Sequence, residues 1–331
     1  MFKNFFIDRL NEKFAGKELM FCNRIYEDIL FYPDRVCKCC HCTKMPYSPP
    51  VIYDKPIKLF SMLEFIKTIE NYMVLNQTEN APCRGCKYFR RQIVPEFPQS
   101  NFIKFFTINH FTKCNSDCIY CILEKKSDDI SYNLLPVLQQ MAELNVIHDT
   151  CLFNWGGGEP TICSEFEQIA EFLHSHYLRQ AINSSGIVFS DTVLRGLKDG
   201  SMSIQISPDS GTEETYHKIK RQNNFNTVWE NIKKYALYPD MLYVKYIFFS
   251  LSANENDVRE FMNRCIDCGV KIVVIDCESS SANNPESQFG NITQEMLGLA
   301  VLMKHIAIDN GMKYELSYQW REEHRMFIES N

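Results

Sequence analysis

Three features of the sequence predict an α/β protein: a parallel sheet, open or curled into part of a barrel, preceded by a small cysteine-rich metal-binding module. From residue 102 onward apolar strand-like runs alternate with amphipathic helical segments, the order that gives parallel sheets with crossover helices. Residues 1–100 hold seven of the 15 cysteines and eight of the 13 prolines, with little such alternation. The stretch VPEFPQS at 94–100 has two prolines and a polar exit, which suits an extended connection. The expected division is therefore residues 1–98 and residues 99–331.

Composition narrows the class. The 331 residues are 45% hydrophobic and 23% charged, a globular balance rather than a disordered one. No apolar run reaches the 18 or so residues that a membrane helix requires. The start, MFKNFFIDRLNEKF, has an acidic residue by position 8 and no small-residue cleavage site. A cytoplasmic protein without a membrane partner is the expectation. Residues 1–100 carry 15 Lys and Arg against 11 Asp and Glu, and the remainder 20 against 30. That excess is too thin to support nucleic-acid binding through counterion release.

In the N-terminal segment only Ser61–Leu75 shows a clear helical period, with Leu63, Ile66, Ile69 and Met73 on one stripe. Strands follow at 103–108, 151–155, 181–182, 204–207, 242–249 and 271–276, with helices near 133–145, 163–178, 190–198, 226–236, 255–268 and 292–310. Six strand–helix units in succession place chemistry at the C-terminal strand ends.

The first of these strands runs straight into Asn109-His-Phe-Thr-Lys-Cys114-Asn-Ser-Asp-Cys118-Ile-Tyr120-Cys121. A CxxxCxxC triplet inside one short loop lets three thiolates take three corners of a cubane and leaves the fourth iron open to an outside chelator. A zinc knuckle would want a fourth ligand and a pair of CxxC steps. The second strand ends in Gly156-Gly157-Gly158-Glu159-Pro160. Glycines at a strand end let a ligand approach the backbone, and Glu159 can accept from an ammonium.

These residues resemble the radical S-adenosylmethionine (radical SAM) family: Cys114, Cys118 and Cys121 with aromatic Tyr120 before the third cysteine, and a GGEP motif at Gly157, Gly158, Glu159 and Pro160. The resemblance covers about residues 102–310. It implies a partial (β/α)6 TIM-like barrel, a [4Fe–4S] cluster, and S-adenosylmethionine chelating the unique iron. Reductive cleavage then gives methionine and a 5′-deoxyadenosyl radical that takes a hydrogen atom from substrate. The GGEP motif would hold the methionine amino group. Asn183–Gly186, with Ser184, matches the family's small polar turn after the third strand. Ser203–Thr212 resembles the fourth-strand signature, which nominates Ser207 for the ribose and Lys218 or Arg221 for the methionine carboxylate. An exposed helix face is the competing reading for both cations. Ser250, after the fifth strand, is placed by position alone near the adenine.

The N-terminal cysteines resemble a SPASM or twitch auxiliary-cluster module, although such modules normally follow the barrel. The ligand set implied is Cys22, one of Cys39 and Cys40, Cys83 and Cys86, holding a second [4Fe–4S] cluster or zinc; Cys37 and Cys42 can substitute, or can bind a second metal with His41. Cys151, Cys163, Cys265 and Cys268 read as packing residues. Cys277 lies at the end of the sixth strand, between Asp276 and Glu278. A thiol there can deliver a hydrogen atom to a substrate radical, while the two carboxylates orient substrate; an inert buried cysteine is the alternative. The C-terminal stretch 312–321 can add a further strand.

The family reading expects a reductant such as flavodoxin or ferredoxin. A peptide or protein is the first expectation for substrate, and oxidation, crosslinking or epimerisation the expected outcome. A carbohydrate, nucleotide sugar or other small polar metabolite is the alternative. A zinc-stabilised scaffold and an iron–sulfur electron carrier are rivals that have no need of the GGEP motif.

Overall fold

The computed structural model describes residues 2–38, 51–53, 59–86, 88–121, 132–278 and 291–331. The fold is mixed α/β with parallel strands. Its contacts divide it into two compact units, Met1–Thr112 with Ser127–Gly158 and Ser164–Gln180, and Lys113–Lys126 with Glu159–Cys163 and Ala181–Asn331. These units do not follow the expected division at residues 98/99. The physical reason is that N-terminal residues pair directly with the first barrel-type strand.

In the first unit, α1 (Phe2–Phe14) buries Ile7, Leu10 and Phe14, an i, i+3, i+7 stripe. A two-stranded ribbon joins β1 (Glu18–Phe21) to a later strand, and α2 (Arg24–Glu27) is a single turn. Then β2 (Asp28–Phe31), β3 (Val36–Cys37) and β4 (Val51–Tyr53) form antiparallel neighbours. The expected helix is α3 (Met62–Leu75), capped by Ser61, whose side chain accepts from the Glu64 N–H at 3.4 Å. Its buried stripe is Phe65, Ile66, Ile69 and Met73. Leu63 is 37% exposed, so the aromatic Phe65 takes the core place expected for it.

The ribbon's second strand is β5 (Arg90–Ile93), antiparallel to β1. Next, β6 (Ile103–Ile108) pairs parallel with β2, Phe31 facing Ile108, and with β7 (Ile147–Trp155). The phenyl rings of Phe31, Phe106 and Phe153 stack across these three strands, with centroid spacings of 6.0 and 4.4 Å. α4 (Leu135–Glu143) and α5 (Phe166–Ser175) complete this unit.

The second unit takes most of β8 (Arg179–Ser184), then α6 (Asp191–Asp199), β9 (Met202–Ile206), α7 (Glu213–Lys220), α8 (Phe225–Tyr235), β10 (Leu242–Phe248), α9 (Glu255–Cys268), β11 (Ile272–Cys277), α10 (Gln294–Asp309), β12 (Lys313–Leu316) and α11 (Glu322–Ser330). Strand order is β8-β9-β10-β11-β12, and β9/β10, β10/β11 and β11/β12 pair in parallel. Side-chain caps from Ser190, Thr212, Asn254 and Thr293 start four of the helices, and left-handed Gly200 and Gly269 end two. The C-terminal stretch does add a strand, β12. No helix among the described residues is long and apolar enough to cross a membrane.

Candidate active site

The cysteine loop is fixed at its base by α7. The Asp117 N–H donates to the Lys220 carbonyl at 3.1 Å and the Ile119 N–H to the Ile219 carbonyl at 3.0 Å. Ile119 and Tyr120 pack on Ile219, Ile247 and Phe249. The Tyr120 hydroxyl donates to Asp209 and accepts from Lys220 Nζ at 2.8 Å, while Lys220 also pairs with Asp209. Burial alone would raise the Asp209 pKa, but the charges of Lys220 and Lys245 hold it below the ordinary carboxylate value. Burial likewise opposes the charge on Lys220, and Asp209 beside it pushes its pKa up past the usual lysine value.

All three thiols of the triplet are free, with Cys114 and Cys121 exposed and Cys118 half-buried. Among the described residues no three His, Cys, Asp or Glu side chains converge on one ion. Separate thiols on one short loop suit the corners of a cubane, which a single ion's ligands do not. Among the described residues the buried Asn115 Nδ2 in the same loop has no hydrogen-bond partner, a donor left over for a bound group. The donor set therefore fits a [4Fe–4S] cluster at Cys114, Cys118 and Cys121.

The glycine run has a packing reason beside the expected one. At Gly157, φ is +76° and an added Cβ would meet the Phe111 carbonyl oxygen at 2.7 Å. A Cβ at Gly156 would meet Asn109 Oδ1 at 2.6 Å. The crowding comes from the backbone leading into the cysteine loop, to which Gly158 donates through the Phe111 carbonyl at 3.1 Å. Glu159 is buried, and its N–H donates to the Lys113 carbonyl at 2.8 Å. Its Oε1 accepts from Thr161 and from Ser184 Oγ at 2.9 Å, and its Oε2 accepts from the Ser185 N–H at 2.6 Å. Ser185 Oγ in turn donates to Asn115 Oδ1 at 2.9 Å. Glu159, Ser184 and the cysteine loop are thus one hydrogen-bonded assembly. Pro160 is buried at the first position of a short 3₁₀ turn, Pro160–Ile162.

Of the nominated cations only Arg221 meets this assembly, and only at the solvent-facing carboxylate of Asp117 in the loop. Lys218 pairs with Glu214 at 2.7 Å on an exposed helix face. Arg221 is left-handed (φ +53°), exposed, and 3.5 Å from Asp117. The buried cation is Lys220. Reading 213–220 as a helix would have found it, because Tyr216, Ile219 and Lys220 share the buried face. Ser207 is half-buried beyond β9, its N–H donating to the Ser184 carbonyl at 3.2 Å. Ser250 is exposed in the turn after β10. Asp209 and Lys245 were also missed, since each is a lone charge between turn or strand residues.

At the sixth strand the register separates the three expected residues. β10 and β11 pair Ile247 with Asp276 and Phe248 with Cys277, and alternate residues face opposite sides of a sheet. Asp276 therefore shares a face with Lys245, 3.6 Å away. Cys277 shares the other face with Phe248, whose ring packs on Tyr246 and Trp320. It is 1% exposed. This corrects the expectation of a hydrogen-donating thiol beside the two carboxylates. Glu278 is buried just beyond the strand, its N–H donating to the Phe248 carbonyl at 3.0 Å. Cys151, Cys163 and Cys265 are buried and Cys268 half-buried, as packing cysteines should be. Cys151 is mid-strand, because β7 starts at Ile147.

Cys22, Cys83 and Cys86 are half-buried. Cys22 follows β1 directly where Phe21 faces Arg90, and the Cys83–Cys86 turn leads into that same end of β5. The Asn76 side chain accepts from the Cys83 N–H at 3.2 Å and donates to its Sγ at 3.4 Å. Burial pushes the Cys37 thiol up to about 11. Cys39, Cys40, His41 and Cys42 lie outside the described residues.

Comparison with known proteins agrees with this geometry. Residues 108–265 match the model of the Radical SAM superfamily. The molybdenum cofactor biosynthesis protein moc-5 of Caenorhabditis elegans is 28% identical over 57% of this chain and 32% of its own length. The probable GTP 3′,8-cyclase of Methanocaldococcus jannaschii is 24% identical over 53% of this chain and 59% of its own. The chain thus spans between a third and three-fifths of these curated relatives. Among solved structures, Streptococcus suis SuiB bound to its precursor peptide SuiA superposes with a TM-score of 0.53 at 11% identity, covering 82% of this chain and 58% of SuiB. The native anSMEcpe structure with bound AdoMet gives 0.52 at 17% identity, covering 65% and 64%. The residues that match that model, 108–265, carry the Cys114–Cys121 loop and the Gly157–Pro160 turn.

Proposed function

We propose that the protein is a radical SAM enzyme acting on a small polar metabolite of the nucleotide type. The observation that carries the reading is the cysteine loop: three free thiols on a segment pinned by Tyr120, Asp209 and Lys220 and tied through Asn115 to Ser185 and Glu159. Cys114, Cys118 and Cys121 would hold the cluster. Cluster and S-adenosylmethionine together supply a 5′-deoxyadenosyl radical for hydrogen abstraction. Glu159 and Ser184 shape the turn beside the loop, and Ser207 extends that edge toward the cofactor ribose.

The relatives named GTP 3′,8-cyclase favour a nucleotide over a peptide substrate, whereas the likeness to SuiB concerns the fold alone. A ring-forming outcome then replaces the expected oxidation or epimerisation. A reductant of the flavodoxin or ferredoxin kind completes the system. The second part of the reading is an auxiliary cluster held by Cys22, Cys83, Cys86 and a residue of the Cys39–Cys40 pair, with zinc as the other occupant.

Iron and sulfide per chain, measured on anaerobically purified protein beside Cys114→Ala/Cys118→Ala/Cys121→Ala, test both parts. About eight irons falling to about four supports two cubanes. About four falling to none, with zinc present, removes the auxiliary cluster. Iron unchanged by the triple substitution rejects the radical SAM reading.

A further inference from the structure

One face of the second unit's sheet sets polar side chains among the apolar Ile247, Ile272 and Val274, where a buried parallel strand reads as near-continuously apolar. Strand alternation and register place Asn183, Gln205, Tyr243, Lys245, Asp276 and Glu315 on that face. Two of these residues have polar atoms to spare. Lys245 Nζ stands 3.6 Å from Asp276 Oδ2 and 3.9 Å from Asp209 Oδ1, beyond hydrogen-bond reach of either. Asp276 spends Oδ1 on Ser317 Oγ and on the Cys277 N–H. Among the described residues its Oδ2 has no nearer partner than Lys245. Both side chains are about one-eighth exposed, at 15% and 12%, so they are reachable without being solvated. Asp209 links them to the cysteine loop, since its other oxygen bonds Tyr120.

We propose that Lys245 and Asp276 anchor the lactam edge of a nucleobase, Lys245 Nζ donating to the ring carbonyl and Asp276 Oδ2 accepting the neighbouring ring N–H. Three arguments select this ligand. First, Asp209, Asp276, Lys220 and Lys245 balance to zero charge, so the pair suits a neutral donor–acceptor edge better than a bare phosphate. Second, a trans peptide bond presents its N–H and C=O on opposite sides, so a main-chain amide cannot serve adjacent ammonium and carboxylate groups. A lactam base presents both on one edge, where a lysine to carbonyl and a carboxylate to N–H are ordinary base contacts. Third, such a base belongs to the nucleotide-type substrate already proposed, on which this inference rests.

The test is equilibrium binding of guanosine, inosine and adenosine to the anaerobic holoenzyme with S-adenosylmethionine saturating. Guanosine and inosine share the lactam edge and should bind alike. Adenosine should bind about tenfold more weakly or worse, because its amino group would face the lysine ammonium. Lys245→Met should weaken guanosine by about tenfold and erase the preference over adenosine. Equal binding of guanosine and adenosine, no binding of any nucleoside, or undiminished selectivity in Lys245→Met each overturns the proposal. The wild-type ranking stands independently of how the variant folds. S-adenosylmethionine binding in the same samples separates the two readings: its loss rejects the radical SAM function, whereas its retention without nucleoside selectivity rejects only the base anchor.

Discussion

Lys220 and Asp209 form an ion pair almost closed to solvent, 4% and 0% exposed, and the Tyr120 hydroxyl bonds to both. Removing one partner of such a pair leaves a buried charge without compensation. Lys220→Met should therefore cost about 3–5 kcal/mol in urea denaturation, with Lys245 at 3.9 Å the only cation left beside Asp209 among the described residues. Adding Asp209→Asn to Lys220→Met should recover much of that loss. A Lys220→Met protein as stable as wild type would show that the pair does not hold the loop.

Glu159 makes a second, sharper demand. Its two oxygens take donors from Thr161, Ser184 and Ser185. Glu159→Gln keeps the shape but turns one oxygen into a donor facing the Ser185 N–H or the Ser184 hydroxyl. An unmet buried group of this kind costs about 1–3 kcal/mol. The Asn183–Gly186 turn should loosen from Asn115, and S-adenosylmethionine affinity, measured by calorimetry, should fall with stability. Unchanged affinity in a destabilised variant would confine Glu159 to a structural part.

Much of this was legible in the sequence because it rests on local pattern. CxxxCxxC after an apolar strand, a glycine run before Glu-Pro, and six strand–helix alternations need no tertiary information. What was not legible depends on which way a side chain faces. Lys220 was passed over for Lys218 and Arg221 because α7 buries only Tyr216, Ile219 and Lys220, too few apolar residues to show a period. Cys277 and Asp276 are neighbours in sequence, yet the β10–β11 register sends them to opposite faces. The β2–β6 pairing was concealed as well, since short strands joined by tight turns leave little periodicity.

Cysteine alkylation separates the classes that the fold defines. Cys151, Cys265 and Cys277 are buried, with burial pushing the first two thiols up, and the thiolate is the reactive form. Iodoacetamide applied to native, metal-free protein should label Cys114 and Cys121 while leaving those three unmodified until denaturant is added. Cys277→Ala should leave the iron content unchanged. Rapid labelling of Cys277 in the native protein, seen by peptide mass spectrometry, would restore it as a candidate hydrogen donor.

Asp276 ties stability and ligand binding to pH in opposite directions. Burial raises its pKa above 3.8, with Lys245 and its hydrogen bonds offsetting part of the shift. The folded protein thus keeps this proton at pH values where the unfolded chain has released it. That contribution to stability is fully present below the unfolded pKa and is lost as pH rises through the folded value. The stability difference between wild type and Asp276→Asn should therefore drift against wild type as pH climbs from about 3.8 toward neutrality. Over the same window guanosine binding should strengthen in wild type, because only the ionised carboxylate accepts the ring N–H at full strength. Urea melts and binding isotherms at matched pH check the two slopes together. Slopes of the same sign, or a flat binding profile beside a sloping stability difference, would remove Asp276 from the anchor while leaving its burial intact.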